Sequence, residues 1–181
     1  SGAAEIESII KKTGVSVRTV CADYFMEAPL HSNDNKVAED SFKVLERLLE
    51  TARVLKISDI VIPCVDQSSL KTKEAVDRFV KQISKIIPTI EKENINLSLE
   101  TDLAPKPFIE LLNKLNSKNI TVNYDIGNSA SLGYNPTEEL EIYGDRISDI
   151  HIKDRTLDGG PVVLGEGDAD FDSFFNALSK I

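Results

Sequence analysis

Three stretches of the chain decide its fold class: INLSLE at residues 95–100, ITVNYD at 120–125 and ISDIHIK at 147–153. Each is short and alternates apolar with polar side chains, which is typical of a β-strand with two different faces. Leu97 and Leu99 share one face of the first stretch, and Val122 and Tyr124 share one face of the second. We therefore predict three strands, each with an apolar face for covering helices and a polar face turned elsewhere.

Segments with the character of helices separate these strands and continue on both sides of them. Further strands are predicted at residues 15–21 and 59–65, and helices at 3–12, 42–55, 73–93, 107–115, 136–143 and 171–178. Asp40 or Ser41 is the expected N-cap of the helix at 42–55. Pro88 is expected to kink the long helix at 73–93.

The alternation of strands and helices predicts an α/β fold with a mostly parallel sheet and right-handed crossovers. Two architectures are compatible with it, an open doubly wound sheet and a (β/α)8 barrel. No glycine-rich phosphate-binding loop follows an early strand. The dinucleotide-binding form of the doubly wound sheet is therefore disfavoured.

The composition is that of a globular domain, with 41% hydrophobic and 28% charged residues in 181. The net charge of −9 argues against nonspecific nucleic-acid binding, which depends on Lys and Arg. No apolar run approaches the roughly 18 residues of a membrane span, and no secretory leader pattern opens the chain. We expect a cytoplasmic protein that binds no membrane. Cys21 and Cys64 are expected to be buried reduced thiols, because they lie on separate apolar segments and lack a CxxC spacing.

Polar side chains occupy matched places at the ends of three predicted strands. Glu100, Asp125 and His151 lie at or near the C-terminal ends of successive strands, 25 and 26 residues apart. Each side chain has the parity of the polar face of its strand. In a barrel that face is the interior, and the C-terminal ends of the strands form the rim that carries active sites. We therefore expect the three side chains to converge.

Two carboxylates and one imidazole at one place suit a divalent cation. Oxygen and nitrogen donors together favour Mn, Mg, Co or Zn over softer metals. A single Glu or Asp at a strand end is more often a helix cap or an ion-pair partner, and a single His is more often structural. The shared register and parity of Glu100, Asp125 and His151 favour one metal site over three separate structural roles.

Four segments carry a family resemblance: SLETD at residues 98–102, NYDIGNSA at 123–130, DIHIKDR at 149–155 and LGEGDADF at 164–171. In this order they resemble the xylose-isomerase-like TIM barrels. That superfamily includes sugar-phosphate isomerases and epimerases, ketose 3-epimerases, inosose dehydratases and endonuclease-IV nucleases. The resemblance covers essentially the whole chain and implies a (β/α)8 TIM-barrel type truncated to about five β/α units. Residues 1–181 then form a single partial barrel domain that contains strands 3 to 7.

The resemblance also implies a ligand set of Glu, Asp, His and a second Glu for one divalent metal ion. The first three carry over to Glu100, Asp125 and His151. The second Glu belongs to strand 8, which this chain does not reach, and Glu166 in its Gly-Glu-Gly turn is not expected to replace it. The chain is shorter than the roughly 250 residues typical of such barrels. We expect a segment or a shortened member whose open sheet edges favour a homo-oligomer.

The activity implied by the resemblance is that of a metal-dependent sugar or sugar-phosphate isomerase, or a ketose 3-epimerase. Such an enzyme transfers a proton through a metal-stabilised enediolate, with Glu100 as a ligand and candidate catalytic base. The candidate substrate-binding residues are Lys153, Arg155, Asn128 and His31. Lys153 shares the parity of His151, Arg155 precedes a glycine-rich loop, and His31 follows the first strand.

Three alternatives stay open. A dehydratase acting on an inosose or a dehydroshikimate-like ketone would share the enediolate step. An inactive fragment or binding module would follow from the missing fourth ligand. An endonuclease-IV-like nuclease is less expected, because the sequence has only two His and Asn128 stands where those nucleases carry a ligand His.

Overall fold

The computed structural model describes residues 2–181, and its central feature is a parallel half-barrel. Within that range the sheet contains β1 (Thr19–Cys21), β2 (Asp59–Cys64), β3 (Asn96–Thr101), β4 (Ile120–Asp125) and β5 (Ile147–His151). The strands pair in this order and all in parallel. Because a doubly wound sheet reverses its strand order at a switch point, this order is that of a barrel. The predicted truncated TIM-barrel type is confirmed.

Helices surround the sheet, on its outer face and at the C-terminal ends of its strands. They are α1 (Gly2–Thr13), α2 (Tyr24–Glu27), α3 (Asn35–Leu55), α4 (Lys73–Ile83), α5 (Ile87–Glu93), α6 (Pro105–Leu115), α7 (Ile126–Ser131), α8 (Pro136–Tyr143) and α9 (Phe171–Leu178). A short antiparallel hairpin of β6 (Asp154–Arg155) and β7 (Pro161–Val162) follows β5. No helix within residues 2–181 is both long and apolar enough to cross a membrane. Cys21 and Cys64 are free thiols, as predicted, but only Cys64 is buried, because Cys21 lies on the edge strand β1 and is exposed.

The start of α3 differs from the prediction. Asp34 caps this helix, because its side chain accepts hydrogen bonds from the backbone N–H groups of Lys36 and Val37. The predicted caps Asp40 and Ser41 are wrong. Asp40 lies on the exposed side of the helix in ion pairs, and the buried Ser41 hydroxyl donates to a carbonyl oxygen of the preceding loop.

The helix predicted at residues 73–93 is divided into α4 and α5. Pro88 lies in the first turn of α5, where its missing N–H costs nothing, but it cannot continue the hydrogen-bond ladder of α4. The amide of Ile86 bonds three residues back, to the carbonyl oxygen of Ile83. The helices α2 and α7 and the β6–β7 hairpin were not predicted, because elements this short have no measurable periodicity.

The two faces of the sheet differ as the alternation predicted. Leu97, Leu99, Val122 and Tyr124 are buried in the apolar core between the sheet and its helices. The opposite face carries the hydroxyls of Ser98, Thr121 and Ser148, which hydrogen-bond to one another at 2.7–3.1 Å. This polar face is the inside of the half-barrel.

A β-bulge in β5 changes which of its side chains face the interior of the half-barrel. Val122 pairs with Ile147 but Asn123 pairs with Asp149, so Ser148 is an extra residue in β5. Strict alternation would place Ser148 and His151 on opposite faces. The bulge allows both side chains to reach the interior.

Candidate metal centre

Three strand ends bring Glu100, Asp125 and His151 together. Glu100 is the penultimate residue of β3, and Asp125 and His151 are the last residues of β4 and β5. Asp125 and His151 are direct neighbours in the sheet register. One potential ligand atom from each of the three side chains lies within 4.8 Å of the other two. The convergence expected from the spacing is therefore present.

The imidazole of His151 faces both carboxylates. Its Nδ1 is 3.4 Å from Oε2 of Glu100 and 3.8 Å from Oδ2 of Asp125. Hydrogen bonding to Asp125 and then to Glu100 raises the pKa of His151 to about 10. The neighbouring Asn123 holds this arrangement, since its Nδ2 donates to Glu100 Oε2 at 2.8 Å and lies 3.1 Å from His151 Nδ1. A bound cation would replace a proton on the imidazole.

Asp125 contributes one oxygen to the candidate centre and uses the other to cap the next helix. Its Oδ1 accepts the backbone N–H of Asn128 at 2.8 Å, which caps α7. Its Oδ2 accepts a hydrogen bond from Lys153 Nζ at 3.0 Å. Burial alone would raise the pKa of Asp125, but the bonds with His151, Asn128 and Lys153 together lower it. The carboxylate is thus kept ionised inside the half-barrel.

The donor set fits a divalent cation. Glu100 and Asp125 are both buried, and buried carboxylates this close need positive charge nearby. Two oxygen donors and one nitrogen donor match Mn, Mg, Co or Zn. Three protein ligands leave coordination positions for water and substrate, as catalytic sites do. Glu166 is exposed in its loop and is not among the clustered ligand groups of residues 2–181, as expected.

Three of the four predicted substrate-binding residues lie beside this centre. Asn128 Nδ2 donates to Glu100 Oε1 at 2.6 Å. The Oδ1 of Asn128 accepts from Lys153 Nζ at 2.8 Å and from Arg155 Nη1 at 2.9 Å. Arg155 also donates through Nε and Nη2 to the carbonyl oxygen of Gly159. The structure therefore brings Asn128, Lys153 and Arg155 together with Glu100.

The structure does not bring His31 to the centre. His31 is buried, with 6% of its surface exposed, and its ring packs edge-on against Phe79 with 6.0 Å between centroids. Burial and then the charge of Arg78 lower the pKa of His31 to about 4. His31 is therefore a buried packing residue in this structure and does not line the cleft beside the candidate ligands.

A cleft of about 640 Å³ opens above the metal ligands. Its walls include Glu100, Asp125, His151 and Lys153 on one side and residues that follow β1 and β2 on the other. A smaller pocket of about 190 Å³ adjoins it, and Asn128 lines both. Arg155 lies in the smaller pocket. The pair of cavities can take a small polar molecule that reaches from the metal ligands to Arg155.

Two supporting residues were not singled out from the sequence. The buried Asp154 accepts the backbone N–H groups of Gly165, Gly167 and Ala169, and so holds the GEGDADF loop against the cleft. The only sequence feature that pointed to Asp154 was its position within the DIHIKDR segment. The buried Glu139 accepts hydrogen bonds from three hydroxyls behind β4, those of Tyr124, Ser129 and Tyr143. Nothing in the local pattern of α8 distinguishes Glu139 from its acidic neighbours.

Comparisons with known proteins agree with this geometry. The sequence model of the family described as xylose isomerase-like TIM barrel matches residues 1–181. A putative L-ribulose-5-phosphate 3-epimerase, SgbU of Haemophilus influenzae, is 28% identical over 97% of this chain. The chain covers 65% of that relative, just under two thirds of its length.

Solved structures with low sequence identity share the fold. A D-tagatose 3-epimerase-like protein, at 21% identity, superimposes with a TM-score of 0.82 over 98% of this chain and 71% of that one. The IOLI protein, solved with a binding zinc atom, is 17% identical and has a TM-score of 0.81 over 100% of this chain and 69% of that one. Together with the match over the entire sequence, these findings identify the chain as a member of the xylose isomerase-like TIM barrel family.

Proposed function

We propose that this chain carries the metal-dependent catalytic centre of a ketose or ketose-phosphate 3-epimerase. The observation that supports it is the convergence of Glu100, Asp125 and His151 at one rim of the half-barrel. Curated relatives of the chain carry the name L-ribulose-5-phosphate 3-epimerase, and a phosphorylated ketopentose is therefore the substrate class that we propose. The cofactor proposed is one divalent ion, Mn, Mg, Co or Zn.

The side chains around the centre suit proton transfer next to a ketone. A divalent cation, when bound, supplies Lewis-acid polarisation of the substrate carbonyl. Glu100 is the base that takes the proton from C3, because its carboxylate faces the cleft while Asn123 and Asn128 fix its two oxygens. C3 is inverted when a water molecule in the cleft protonates the opposite face of the resulting enediolate, and Glu100 then gives its proton to the hydroxide that is left. Lys153 and Arg155 bind the phosphate in this proposal, which is supported by their shared contact with Asn128 beside Glu100.

Metal content after loading with Mn²⁺, measured by elemental mass spectrometry, tests the centre. We expect about one ion per chain, lost in Glu100→Ala and His151→Ala. The matched control is His31→Gln, which removes the other histidine, outside the centre, and keeps the metal. No bound metal in the wild-type chain would end the proposal.

Deuterium incorporation tests the chemistry separately. In D₂O with Mn²⁺, C3 of L-ribulose 5-phosphate should exchange its proton, detected by NMR. Glu100→Gln should slow the exchange by about 100-fold or more, the usual loss for a general base. Exchange that is equally fast in Glu100→Gln would remove Glu100 from the catalytic role.

A further inference from the structure

The ammonium group of Lys153 lies next to the carboxylate oxygen of Asp125 that a bound metal ion would contact. Asp125 Oδ1 is engaged by the N–H of Asn128, so Oδ2 is the oxygen that remains for a metal ion next to His151. Lys153 Nζ is 3.0 Å from that same Oδ2. Two cations on one carboxylate oxygen repel each other at short range. A divalent ion and Lys153 therefore compete for Asp125.

The two carboxylates of the centre already have positive groups around them without a metal ion. Glu100 and Asp125 face His151, Asp125 also binds Lys153, and Arg155 lies next to them on Asn128. Lys153 and Arg155 both donate to the same neutral oxygen, Oδ1 of Asn128, at 2.8 and 2.9 Å. A divalent ion adds further positive charge, which weakens the hold on Lys153 and leaves a positive excess that an anion can neutralise.

The side chain of Lys153 has a route out of the centre. Its stem crosses Gly127, where an added Cβ would lie 2.8 Å from Cγ of Lys153. The side chain is 36% exposed and lines the larger cleft. Rotation about its own side-chain bonds can thus carry the ammonium group from Asp125 into the cleft, on the side of Asn128 that adjoins the pocket of Arg155.

We propose that Lys153 is a resident counter-cation of the centre, which a divalent ion displaces from Asp125 and which then binds the anionic group of the substrate. Metal binding and anion binding are consequently coupled, each favouring the other. The inference rests on the proposed function, because it takes Glu100, Asp125 and His151 as the metal ligands. It adds the order of events: the metal binds first, and the phosphate second.

The first test is a Mn²⁺ titration at constant ionic strength, followed by electron paramagnetic resonance of the free ion. Lys153→Met keeps the stem but removes the competing charge, so its Kd for Mn²⁺ should fall by about three- to tenfold. Arg155→Met is the matched control, since Arg155 shares Asn128 with Lys153 but makes no contact with Asp125. Its Kd should change by less than about twofold.

The second test follows Lys153 in the wild-type chain. Acetylation by an N-hydroxysuccinimide ester, quantified by peptide mass spectrometry, should be several times faster with saturating Mn²⁺ than without it. Lys73, which is exposed and pairs with Asp77 away from the centre, is the internal reference. Added inorganic phosphate should protect Lys153 only when Mn²⁺ is present.

The outcomes separate this inference from the proposed function. If Lys153→Met binds Mn²⁺ as weakly as the wild type or more weakly, Lys153 positions Asp125 and does not compete, while the metal centre stands. If the wild type binds no Mn²⁺, both proposals fail. If Lys153→Met does not fold, the acetylation rates decide, and equal rates with and without Mn²⁺ overturn the inference.

Discussion

At the scale of single residues, the two histidines of this chain have opposite environments. His151 lies between two carboxylates, which stabilise its protonated form. His31 lies against Phe79 and near Arg78, and its buried Nδ1 has no hydrogen-bond partner in the described part of the chain. Burial therefore favours the neutral form of His31. The imidazole of His151 is therefore held protonated at the candidate metal centre, whereas that of His31 is a packing group that resists protonation.

This difference predicts an acid-sensitive contribution of His31 to stability. The pKa of His31 is lowered to about 4 in the folded state, so between pH 6.5 and 4 the unfolded chain binds a proton that the folded chain does not. The free energy of unfolding should fall with falling pH by up to about 1.4 kcal/mol per unit in that window. Urea unfolding at pH 6.5, 5.5 and 5.0 measures the slope.

His31→Gln should lose this part of the slope and become less sensitive to pH than the wild type. His151 does not interfere, because its pKa is raised to about 10 and its contribution is lost only as the pH rises from 6.5 toward that value. Parallel pH profiles of the wild type and His31→Gln would contradict the prediction.

At the scale of elements, the junction of β4 and α7 carries the centre. Asp125 ends the strand and caps the helix, and Asn128 in the first turn of that helix reaches back to Glu100. Gly127 lies between them and lets the chain of Lys153 pass within van der Waals distance. The two carboxylates are thus held by a helix of only six residues that packs closely against Lys153.

Gly127→Ala is expected to destabilise the protein. An added Cβ would lie 2.8 Å from Cγ and 3.0–3.1 Å from the backbone C and O of Lys153, so the backbone must shift. Overpacking of this kind costs about 1–3 kcal/mol, more than the roughly 0.5–1 kcal/mol that Ala contributes over Gly in a helix. Urea denaturation gives the difference in the free energy of unfolding.

Gly160→Ala is the control for this prediction, because an added Cβ there meets nothing within 4 Å. Its free energy of unfolding should change by no more than about 0.5 kcal/mol. A Gly127→Ala protein as stable as the wild type would show that the contact with Lys153 relaxes without cost.

At the scale of the whole molecule, the half-barrel has two open edges. Among residues 2–181, β1 pairs only with β2 and β5 only with β4. Open edges expose backbone groups that can pair with another chain. Apolar side chains near the β5 edge are also exposed, among them Ile152 and Ile181. The homo-oligomer expected from the sequence stays a prediction, and these edges are where we expect the contact.

We predict that the chain self-associates with rising concentration, as measured by sedimentation velocity. Ile152→Lys places a charge at the β5 edge and should shift the distribution toward the monomer. Val54→Lys is the control, because Val54 is about equally exposed but lies on α3, which connects β1 to β2 at the other side of the sheet from β5. Equal association of Ile152→Lys and the wild type would place the contact elsewhere.

Metal binding should stabilise the whole chain, because its ligands join three strands. At free Mn²⁺ of about 100 times Kd, the expected gain in the free energy of unfolding is ~2.7 kcal/mol. For a chain of this size that corresponds to a rise in Tm of roughly 5–10 °C, measured by calorimetry. His151→Ala should show no such rise, whereas a rise of the same size in His151→Ala would indicate a different site.

The sequence by itself determined the fold class of this protein and the three side chains that converge at its candidate metal centre. The alternation of apolar and polar residues indicates which face of each strand packs against the helices. Glu100, Asp125 and His151 are spaced by about one β/α unit, so each could be assigned to the C-terminal end of its strand. Local signals failed where elements were short: α7 and the bulge at Ser148 left no periodic trace.

Only the tertiary structure decided which other polar residues serve the centre. Lys153, Arg155 and Asn128 come together because α7, β5 and the hairpin approach one another across Gly127. His31 is excluded because its loop folds into the core against Phe79. Contacts between side chains far apart in sequence depend on how the elements pack, and no local pattern encodes that packing.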